Sequence, residues 1–238
     1  MGRLSSHVFG REKLPERCIL YGGAYVPRRK KVVRRLFDKW TRIRGNWVKY
    51  TYVKIDEVEY LLVFNVYGGA IVLEVLHLLK DGGVRQVFFV GSMYAKRLPI
   101  GAIVIPSKIV DKAGPALVDN PQVSIVEPDP TSLRSLKATL KAEGIPHVHA
   151  NTVSVPCALH EIEHVKQLIE KDENIAGVEM EVSTFYYFSR RLGLKSYALL
   201  YVSDNQKYGL ISKAKSVWEA RREAIGKTTR IALAVLRV

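Results

Sequence analysis

Two carboxylates flank one methionine in the run Val178-Glu179-Met180-Glu181, and a third acid, Asp204, follows Glu181 after 22 intervening residues. Carboxylates accept hydrogen bonds from hydroxyl groups and can stabilise positive charge that develops on a bound molecule. An acid that keeps its proton near neutral pH can donate that proton to a departing group. The three acids therefore predict a site that holds a hydroxylated molecule and protonates part of it.

The sequence between these acids indicates which elements carry them. Residues 183–192 are amphipathic and aromatic-rich, residues 191–195 suit a short glycine-containing turn, and residues 196–202 suit a buried strand. Glu181 then lies just before a helix, and Asp204 lies just after a strand that should remove it from water. Acids at such element ends meet at one edge of a sheet, where α/β proteins build their sites. A competing interpretation of Ser203-Asp204-Asn205 is a helix N-cap or a turn, which the same residue types favour.

Hydrophobic periodicity and turn residues predict the other elements. The predicted strands are 17–21, 47–54, 58–66, 85–90, 102–105, 123–126 and 147–153. The predicted helices are a basic one near 28–37 and four others at 70–79, 131–143, 159–171 and 213–236. Strands that alternate with helices favour an α/β fold with a mixed, largely parallel central sheet flanked by helices.

Four segments resemble the purine and uridine nucleoside phosphorylase superfamily, in particular its hexameric purine nucleoside and methylthioadenosine phosphorylases. They are Val-Glu-Met-Glu at 178–181, the aromatic-rich helix at 183–192, Gly-Leu-Lys-Ser-Tyr-Ala-Leu-Leu-Tyr at 193–201 and Val-Ser-Asp-Asn at 202–205. The resemblance implies a pentosyltransferase that cleaves the N-glycosidic bond of a purine nucleoside with phosphate, giving free base and ribose-1-phosphate. It also implies that phosphate is a co-substrate, that no cofactor is needed, and that identical subunits form a trimer or hexamer.

The resemblance implies roles for individual residues as well. Glu181 holds the ribose hydroxyls, Met180 packs under the sugar, and Asp204 donates a proton to N7 of the purine as the glycosidic bond breaks. Arg221, on the last predicted helix, orients Asp204 and assists the transfer. The remaining substrate-binding candidates are neighbours of these residues and a histidine that reaches the 5′ end of the ribose across a subunit interface: Val178, Glu179, Ser203 and His7.

The implied phosphate site departs from the family pattern. The resemblance points to Gly22 and Arg29 after the first strand, to Arg44 from a neighbouring subunit, and to Ser92. The family's arginine three residues before Ser92 is replaced by Phe89, and a phenyl ring cannot neutralise phosphate. The lost contact is worth about 1–3 kcal/mol. Two alternatives therefore stay open: a nucleosidase that uses water, and a degenerate member that binds a nucleoside or nucleic acid without catalysis.

Base preference is not implied by the resemblance. Met93-Tyr94 stands where the family has two small residues, which would crowd or reshape the base pocket. The segment 154–158 also departs from the family's base-covering segment.

The composition bounds the class of protein. The 238 residues are 47% hydrophobic and 25% charged, which suits one globular domain over residues 1–238. No apolar run approaches the roughly 20 residues that span a bilayer, and the N-terminus lacks the apolar part of a secretory signal. Cys18 and Cys157 are too few for a disulfide framework. We therefore expect a cytoplasmic protein with no membrane partner.

The formal net charge is +14, and much of the positive charge lies in residues 28–44. Such a segment can neutralise nucleic-acid phosphates. The plainer interpretation is a solvated helix face with a few anion-binding arginines, in a chain enriched in Lys and Arg as thermophile proteins are. Nucleic acid is accordingly not an expected partner.

One motif points to a different chemistry. His160-Glu161-x-x-His164 fits the H-E-x-x-H pattern of zinc proteases. No histidine follows to supply a third ligand, although Glu170 and Glu173 do. We therefore interpret residues 159–171 as an exposed amphipathic helix and expect no metal site.

Overall fold

The structure, a computed structural model, describes residues 4–23, 27–112, 114–157, 167, 174–209 and 212–237. The H-E-x-x-H motif lies outside the described residues, as does the predicted helix 159–171 apart from Gln167.

Seven helices and ten strands are described. The helices are α1 (Leu4–Phe9), α2 (Pro27–Arg34), α3 (Gly69–Asp81), α4 (Pro115–Asp119), α5 (Pro130–Ala142), α6 (Val182–Arg191) and α7 (Lys215–Arg237). The strands are β1 (Arg17–Gly22), β2 (Lys39–Trp40), β3 (Lys49–Ile55), β4 (Val58–Val66), β5 (Gln86–Ala95), β6 (Ile103–Asp111), β7 (Ile125–Val126), β8 (Val148–Ser154), β9 (Ile175–Glu179) and β10 (Lys195–Asn205).

The strands form one mixed sheet in the order β10-β6-β8-β9-β5-β1-β4-β3-β2, with β7 beside β6. The central pairings of β1 with β4 and β5, of β5 with β10, and of β8 with β6 and β9 are parallel. The edge strands β2, β3 and β7 pair antiparallel. The sheet also closes on itself, because β5 pairs with both β9 and β10 while β10 pairs with β6. The α/β class with a mixed sheet is confirmed.

Alternate residues along the central strands pack into two large cores, one on each face of the sheet, and a smaller cluster lies around β8 and β9. In β5, Val87 and Phe89 belong to the core under α3 and α6, whereas Phe88 and Val90 belong to the core under α5 and α7. The strand is therefore apolar on both faces, as a strand covered by helices on both sides must be.

A hairpin forms between β3 and β4. Its two turn residues, Asp56 and Glu57, both have positive φ, of 47° and 61°, which is the backbone that two-residue hairpin turns require. The prediction that the strand at 85–90 ends before Gly91 is wrong. β5 continues to Ala95 because Gly91 and Ser92 remain paired with Leu200 and Tyr201 of β10.

No helix in the described part of the chain is long and apolar enough to cross a membrane.

Candidate active site

The structure brings the two acidic segments together at the end of β5. Tyr94 of β5 is the pairing partner of both Val178 in β9 and Asp204 in β10. Glu179 and Asp204 therefore lie on strands that border the same residue from opposite sides. Gly177 allows this approach, because a Cβ there would lie 2.1 Å from the carbonyl oxygen of Tyr94. This end of the sheet is the candidate active site.

A β-bulge sets the direction of Asp204. Pairing between β10 and β5 shifts between Val202 and Asp204, so Ser203 is an extra residue in the strand. Bulges re-aim side chains next to functional sites. The competing prediction of a helix N-cap at Ser203-Asp204-Asn205 is wrong, because all three residues lie in β10.

Asp204 is held by Arg221 of α7. The Nη2 of Arg221 donates to Oδ1 of Asp204 at 2.8 Å, and its Nε donates to the carbonyl oxygen of Ser203 at 2.6 Å. Both side chains are mostly shielded, with relative exposures of 20% for Arg221 and 17% for Asp204. The hydroxyl of Ser203 donates to Oδ2 of Asp204 at 2.5 Å. The carboxyl group is therefore fixed at both oxygens.

Glu181 lies at the start of α6 and is buried. Its Oε1 accepts a hydrogen bond at 2.8 Å from the amide of Gly68, in the turn between β4 and α3. The methyl group of Met180 lies 4.0 Å from where a Cβ of Gly68 would be. The Glu181 side chain and the Met180 methyl group therefore both lie beside the same turn, where the carboxylate is held in a low-dielectric environment.

Glu179 is the centre of a buried polar network. Its Oε2 accepts hydrogen bonds from the amides of Glu181 at 2.7 Å and Val182 at 2.6 Å, and its Oε1 accepts one from the hydroxyl of Ser154. Burial raises the pKa of Glu179 to about 7, the three hydrogen bonds oppose that shift, and the charge of Asp111 adds to it. In this structure Glu179 therefore holds the backbone of Glu181 in place through a hydrogen bond to its amide.

The same network reaches a second buried acid. The amide of Ser183 donates to the hydroxyl oxygen of Ser154 at 3.0 Å, and the hydroxyl of Ser183 donates to Asp111 at 2.7 Å. Strands β6 and β8 are thus tied to the first turn of α6.

Phe89 fills the space beside Gly22 of the predicted phosphate site and beside Gly91, the neighbour of Ser92. A Cβ at Gly22 would lie 2.5 Å from Cζ of Phe89, and one at Gly91 would lie 2.6 Å from Cε1. The ring is fully buried and lies 5.3 Å, centroid to centroid, from that of Phe185. The floor under Gly22 is therefore apolar.

The other phosphate candidates lie in three different elements of the chain. Ser92 is half-buried in β5, whereas Arg44 is exposed in a loop where its backbone pairs with Tyr50. The backbone of Arg29 lies in α2, and its side chain is outside the described part of the structure. His7 is exposed on α1, and Phe9, the last residue of that helix, packs against the Tyr50 ring with the ring centroids 5.3 Å apart. The helix of His7 and the loop of Arg44 are thus joined through Tyr50.

Sequence reasoning missed Tyr67 and Gly68. The negative charge of Glu181 contributes to a raised pKa of Tyr67, after partial burial as the larger cause. The amide of Gly68 bonds Glu181 across 113 residues of sequence. The signal in the sequence for this contact was the pair Gly68-Gly69 after the apolar strand 58–66. Glycine lets the backbone approach another group closely.

The described residues contain no group of three or more His, Cys, Asp or Glu side chains placed to hold a metal ion.

Comparison with known proteins gives a family match and a set of similar folds. A model of the phosphorylase superfamily matches residues 65–237. No curated protein sequence matches the chain. A uridine phosphorylase from Vibrio fischeri, complexed with 6-hydroxy-1-naphthoic acid, superposes with a TM-score of 0.78 at 17% identity, over 94% of this chain and 92% of that one.

Two further similar structures are those of other enzymes. A purine nucleoside phosphorylase from Toxoplasma gondii in complex with immucillin-H has a TM-score of 0.75 at 16% identity, over 95% of this chain and 93% of that one. A 5′-methylthioadenosine/S-adenosyl homocysteine nucleosidase from Campylobacter jejuni has a TM-score of 0.73 at 15% identity, over 93% and 98%. At these identities the likeness shows a shared fold.

Proposed function

The chain belongs to the phosphorylase superfamily, and from that premise we propose that it cleaves the N-glycosidic bond of a purine nucleoside with phosphate, giving free base and ribose-1-phosphate. The observation that carries this proposal is the Asp204–Arg221 pair, held at 2.8 Å at the end of β5 where the Glu181 segment also lies. Members of this superfamily generally need no cofactor and use phosphate as co-substrate.

The reaction breaks the bond between C1′ of the ribose and the base nitrogen, and positive charge develops on the sugar. A buried carboxylate such as Glu181 can accept hydrogen bonds from the ribose hydroxyls and stabilise that charge, with Met180 packed under the sugar and Val178 beside the base. The base leaves with the bonding electrons, and a proton from Asp204 to N7 neutralises it. General acid catalysis of this kind contributes about 10²–10⁴-fold in rate.

Ser203 gives Asp204 a way to carry that proton. If Oδ1 keeps its hydrogen bond from Arg221, the proton must lie on Oδ2. In this structure Oδ2 accepts a hydrogen bond from the Ser203 hydroxyl. The same hydroxyl can instead donate to the carbonyl oxygen of Met93, 3.3 Å away. A switch of Ser203 to Met93 therefore leaves Oδ2 able to hold a proton without loss of the arginine contact.

The phosphate and 5′ contacts are proposed to cross a subunit interface. Gly22, Arg29 and Ser92 of one subunit and Arg44 of its neighbour bind phosphate, and His7 of the neighbour reaches the 5′ end of the ribose. The exposure of His7 and Arg44, and the contact of their segments through Tyr50, support a shared surface that contacts a neighbouring subunit. The assembly is proposed to be a homotrimer or homohexamer.

Hydrolysis is the second candidate, and Phe89 favours it. A fully buried phenyl ring under Gly22 places an apolar surface where the related enzymes are expected to hold a cation against phosphate. Water needs no such cation. In that case the same sugar and base contacts act, and the products are ribose and free base.

One experiment tests both candidates. Purified protein is incubated with inosine, adenosine, guanosine, methylthioadenosine and uridine, with and without phosphate, and the free base and sugar products are measured. Phosphate-dependent release of purine supports phosphorolysis, and equal release without phosphate supports hydrolysis. Release from uridine but no purine would contradict the purine assignment, because uracil has no N7. No release from any of the five would contradict the proposed reaction.

A variant at Phe89 sharpens the distinction. Phe89→Arg should lower the KM for phosphate of a phosphorolytic enzyme, whereas Phe89→Leu, an apolar control, should leave it unchanged. If the native protein is hydrolytic, phosphate should raise the thermal unfolding midpoint of Phe89→Arg more than that of Phe89→Leu, because a bound anion stabilises the folded state that holds it.

A further inference from the structure

A groove runs between α2 and α7, on the opposite side of α7 from Asp204. It encloses about 790 Å³. The two helices approach closely at Gly226, where a Cβ would lie 3.6 Å from Val32. We call it the α2–α7 groove. Its cationic and aromatic lining residues are Lys31, Arg35, Trp218, Arg222 and Arg230.

The α2–α7 groove carries an excess of positive charge. Its four cations face two carboxylates, Glu219 and Glu223. Glu223 is already bridged to Lys227 at 2.6 Å, although Arg230 also contributes to its lowered pKa. Among the residues that the structure describes, none of the four groove cations forms a salt bridge. The charge is therefore available to an anion from solution.

Trp218 adds a stacking surface to this charge. Its indole is half-buried and lines the groove, with the guanidinium of Arg222 5.4 Å from the ring centroid. Aromatic rings interleaved with cations are the arrangement that binds single-stranded nucleic acid, because bases stack on rings while cations neutralise phosphates.

The basic surface continues beyond the groove along the chain. Arg34, Lys39 and Arg42 are exposed. Two nearby acids are already engaged, since Asp56 pairs with Arg237 at 2.7 Å and Glu57 with Lys54 at 2.9 Å. A groove and track with a net positive charge would repel a second copy of the same surface, which argues against self-association through it.

We propose that the α2–α7 groove binds a strand of single-stranded nucleic acid, with its phosphates on the four cations and a base stacked on Trp218. The extension of the basic surface past the groove favours a strand. The site is distinct from the candidate active site, because Arg221 turns to Ser203 and Asp204 while its neighbour Arg222 lines the groove. Composition alone favoured a solvated basic face, and the groove with its indole is what changes that interpretation.

The test is fluorescence anisotropy with a labelled single-stranded RNA of about 15 nucleotides, titrated at several salt concentrations. Four phosphate contacts predict that log K falls with log salt at a slope of about −3, because each contact on a single strand contributes about −0.7. Arg35→Glu combined with Arg222→Glu should weaken binding at least about tenfold and reduce the slope. The matched control, Lys13→Glu with Lys80→Glu, makes the same change in net charge on the other face of the sheet and should bind within about twofold of the native protein.

A second pair of variants tests the ring. Trp218→Ala should weaken RNA binding at least about fivefold, because stacking of one base on an aromatic ring contributes that much or more. Trp47→Ala removes an exposed indole elsewhere and should have no effect. The thermal unfolding midpoint of every variant shows whether it is folded.

Competition by ATP and by tripolyphosphate identifies the ligand. RNA that binds more tightly than ATP supports a strand, and ATP that binds as tightly, with the same loss in the groove variant, would overturn the strand in favour of a free nucleotide. Tripolyphosphate that competes as well as ATP, together with unchanged binding by Trp218→Ala, would overturn the stacking proposal. Equal binding by the groove variant and its matched control, or no binding of RNA or ATP, would overturn the site itself.

Discussion

Asp204 and Glu179 are both shielded acids at one end of the sheet, but their surroundings prepare them for different tasks. Asp204 has an arginine on one oxygen and a hydroxyl on the other. Glu179 has only neutral donors and a second acid, Asp111, nearby. We propose that the first group transfers a proton and that the second holds the start of α6 in place.

Replacement of Asp204 tests the first role. Asp204→Asn should reduce purine release by about 10²–10⁴-fold, because the amide keeps the shape of the side chain and cannot act as an acid. The control is Asp119→Asn, which changes another carboxylate paired with an arginine, Arg191 at 3.2 Å, away from the site. Free base is measured for both, with circular dichroism as the check on folding. Turnover by Asp204→Asn equal to that of the control would remove Asp204 from the mechanism.

Replacement of Glu179 tests the second role through pH. Its pKa is raised from 4.5 in the unfolded chain to about 7 in the folded protein, so the unfolded state gives up its proton first as pH rises. The folded state therefore loses stability between about pH 4.5 and 7, by a total of about 3 kcal/mol. Glu179→Gln keeps an acceptor for the two amides and lacks this titration. Its free energy of unfolding, relative to native, should rise by that amount from low to high pH.

Urea unfolding at a series of pH values measures this difference. Glu12→Gln, at an exposed glutamate, is the matched control and should show no such trend. A difference between Glu179→Gln and native protein that stays constant with pH would contradict the assignment of the shift to Glu179.

At this scale the sequence predicted residue types better than their partners. Local pattern and resemblance identified Asp204, Arg221 and Glu181. In the structure Asp204 is hydrogen-bonded to Arg221. The bond from the Gly68 amide to Glu181 could not be predicted, because it joins residues 113 apart that meet only when β4 and β9 share a sheet. The same is true of Asp111 and Ser183, 72 residues apart.

At the scale of elements, two helices each contact a neighbouring helix at a glycine. At one contact only glycine fits, and at the other a larger residue fits as well. α3 begins at Gly69, where a Cβ would lie 2.6 Å from Oγ1 of Thr184 in α6. In α7, a Cβ on Gly226 would meet Val32 of α2 at 3.6 Å, an ordinary van der Waals distance. The first glycine is required by close packing, and the second is not.

Alanine at these two positions should therefore have opposite effects. Gly69→Ala should destabilise the protein by about 1–3 kcal/mol, because α3 and α6 must move apart. Gly226→Ala should stabilise it by about 0.5–1 kcal/mol, because alanine loses less entropy in a helix interior. Thermal unfolding at one fixed protein concentration measures both. Destabilisation by Gly226→Ala as large as that by Gly69→Ala would show that the α2–α7 contact is tighter than described.

Helices and strands were predicted well where a single periodicity persists. α5, α6 and α7 begin and end within about two residues of the predicted bounds, because each keeps an apolar stripe at helical spacing. β5 and β6 were predicted too short for a physical reason. Gly91 in β5 and Pro106 in β6 are local signals for a break, but pairing with β10 and β8 carries the strands through them.

At the scale of the whole molecule, His7 and Arg44 face solvent although the proposed chemistry needs them beside a ribose and a phosphate. We propose that a neighbouring subunit supplies them, because each subunit in a closed symmetric assembly can present its own surface to its neighbour's site. Light scattering coupled to size exclusion measures the assembly, for which a trimer or hexamer is expected.

Mixed assemblies test the sharing of sites directly. Arg44→Ala and Asp204→Asn are each expected to have low activity, and subunit exchange between them should recover about a quarter of the native sites if subunits pair reciprocally. Each recovered site has Asp204 from one subunit and Arg44 from the other. Mixing Asp204→Asn with Arg221→Ala should recover nothing, since both residues belong to the same subunit's site. Recovery in neither mixture, with exchange confirmed, would contradict the shared site.

The extra residue in β10 is absorbed by the bulge, so Asp204 keeps the face that the residue after Val202 would have. Side chains along a strand alternate between its two faces. Val202 packs into the core under α3 and α6, whereas Asp204 meets Arg221 of α7 on the other face. Deletion of Ser203 would therefore leave Asp204 on the α7 face and remove the hydroxyl that donates to its Oδ2. Related chains could thus keep this acid and lose its hydroxyl partner by a change in strand length of one.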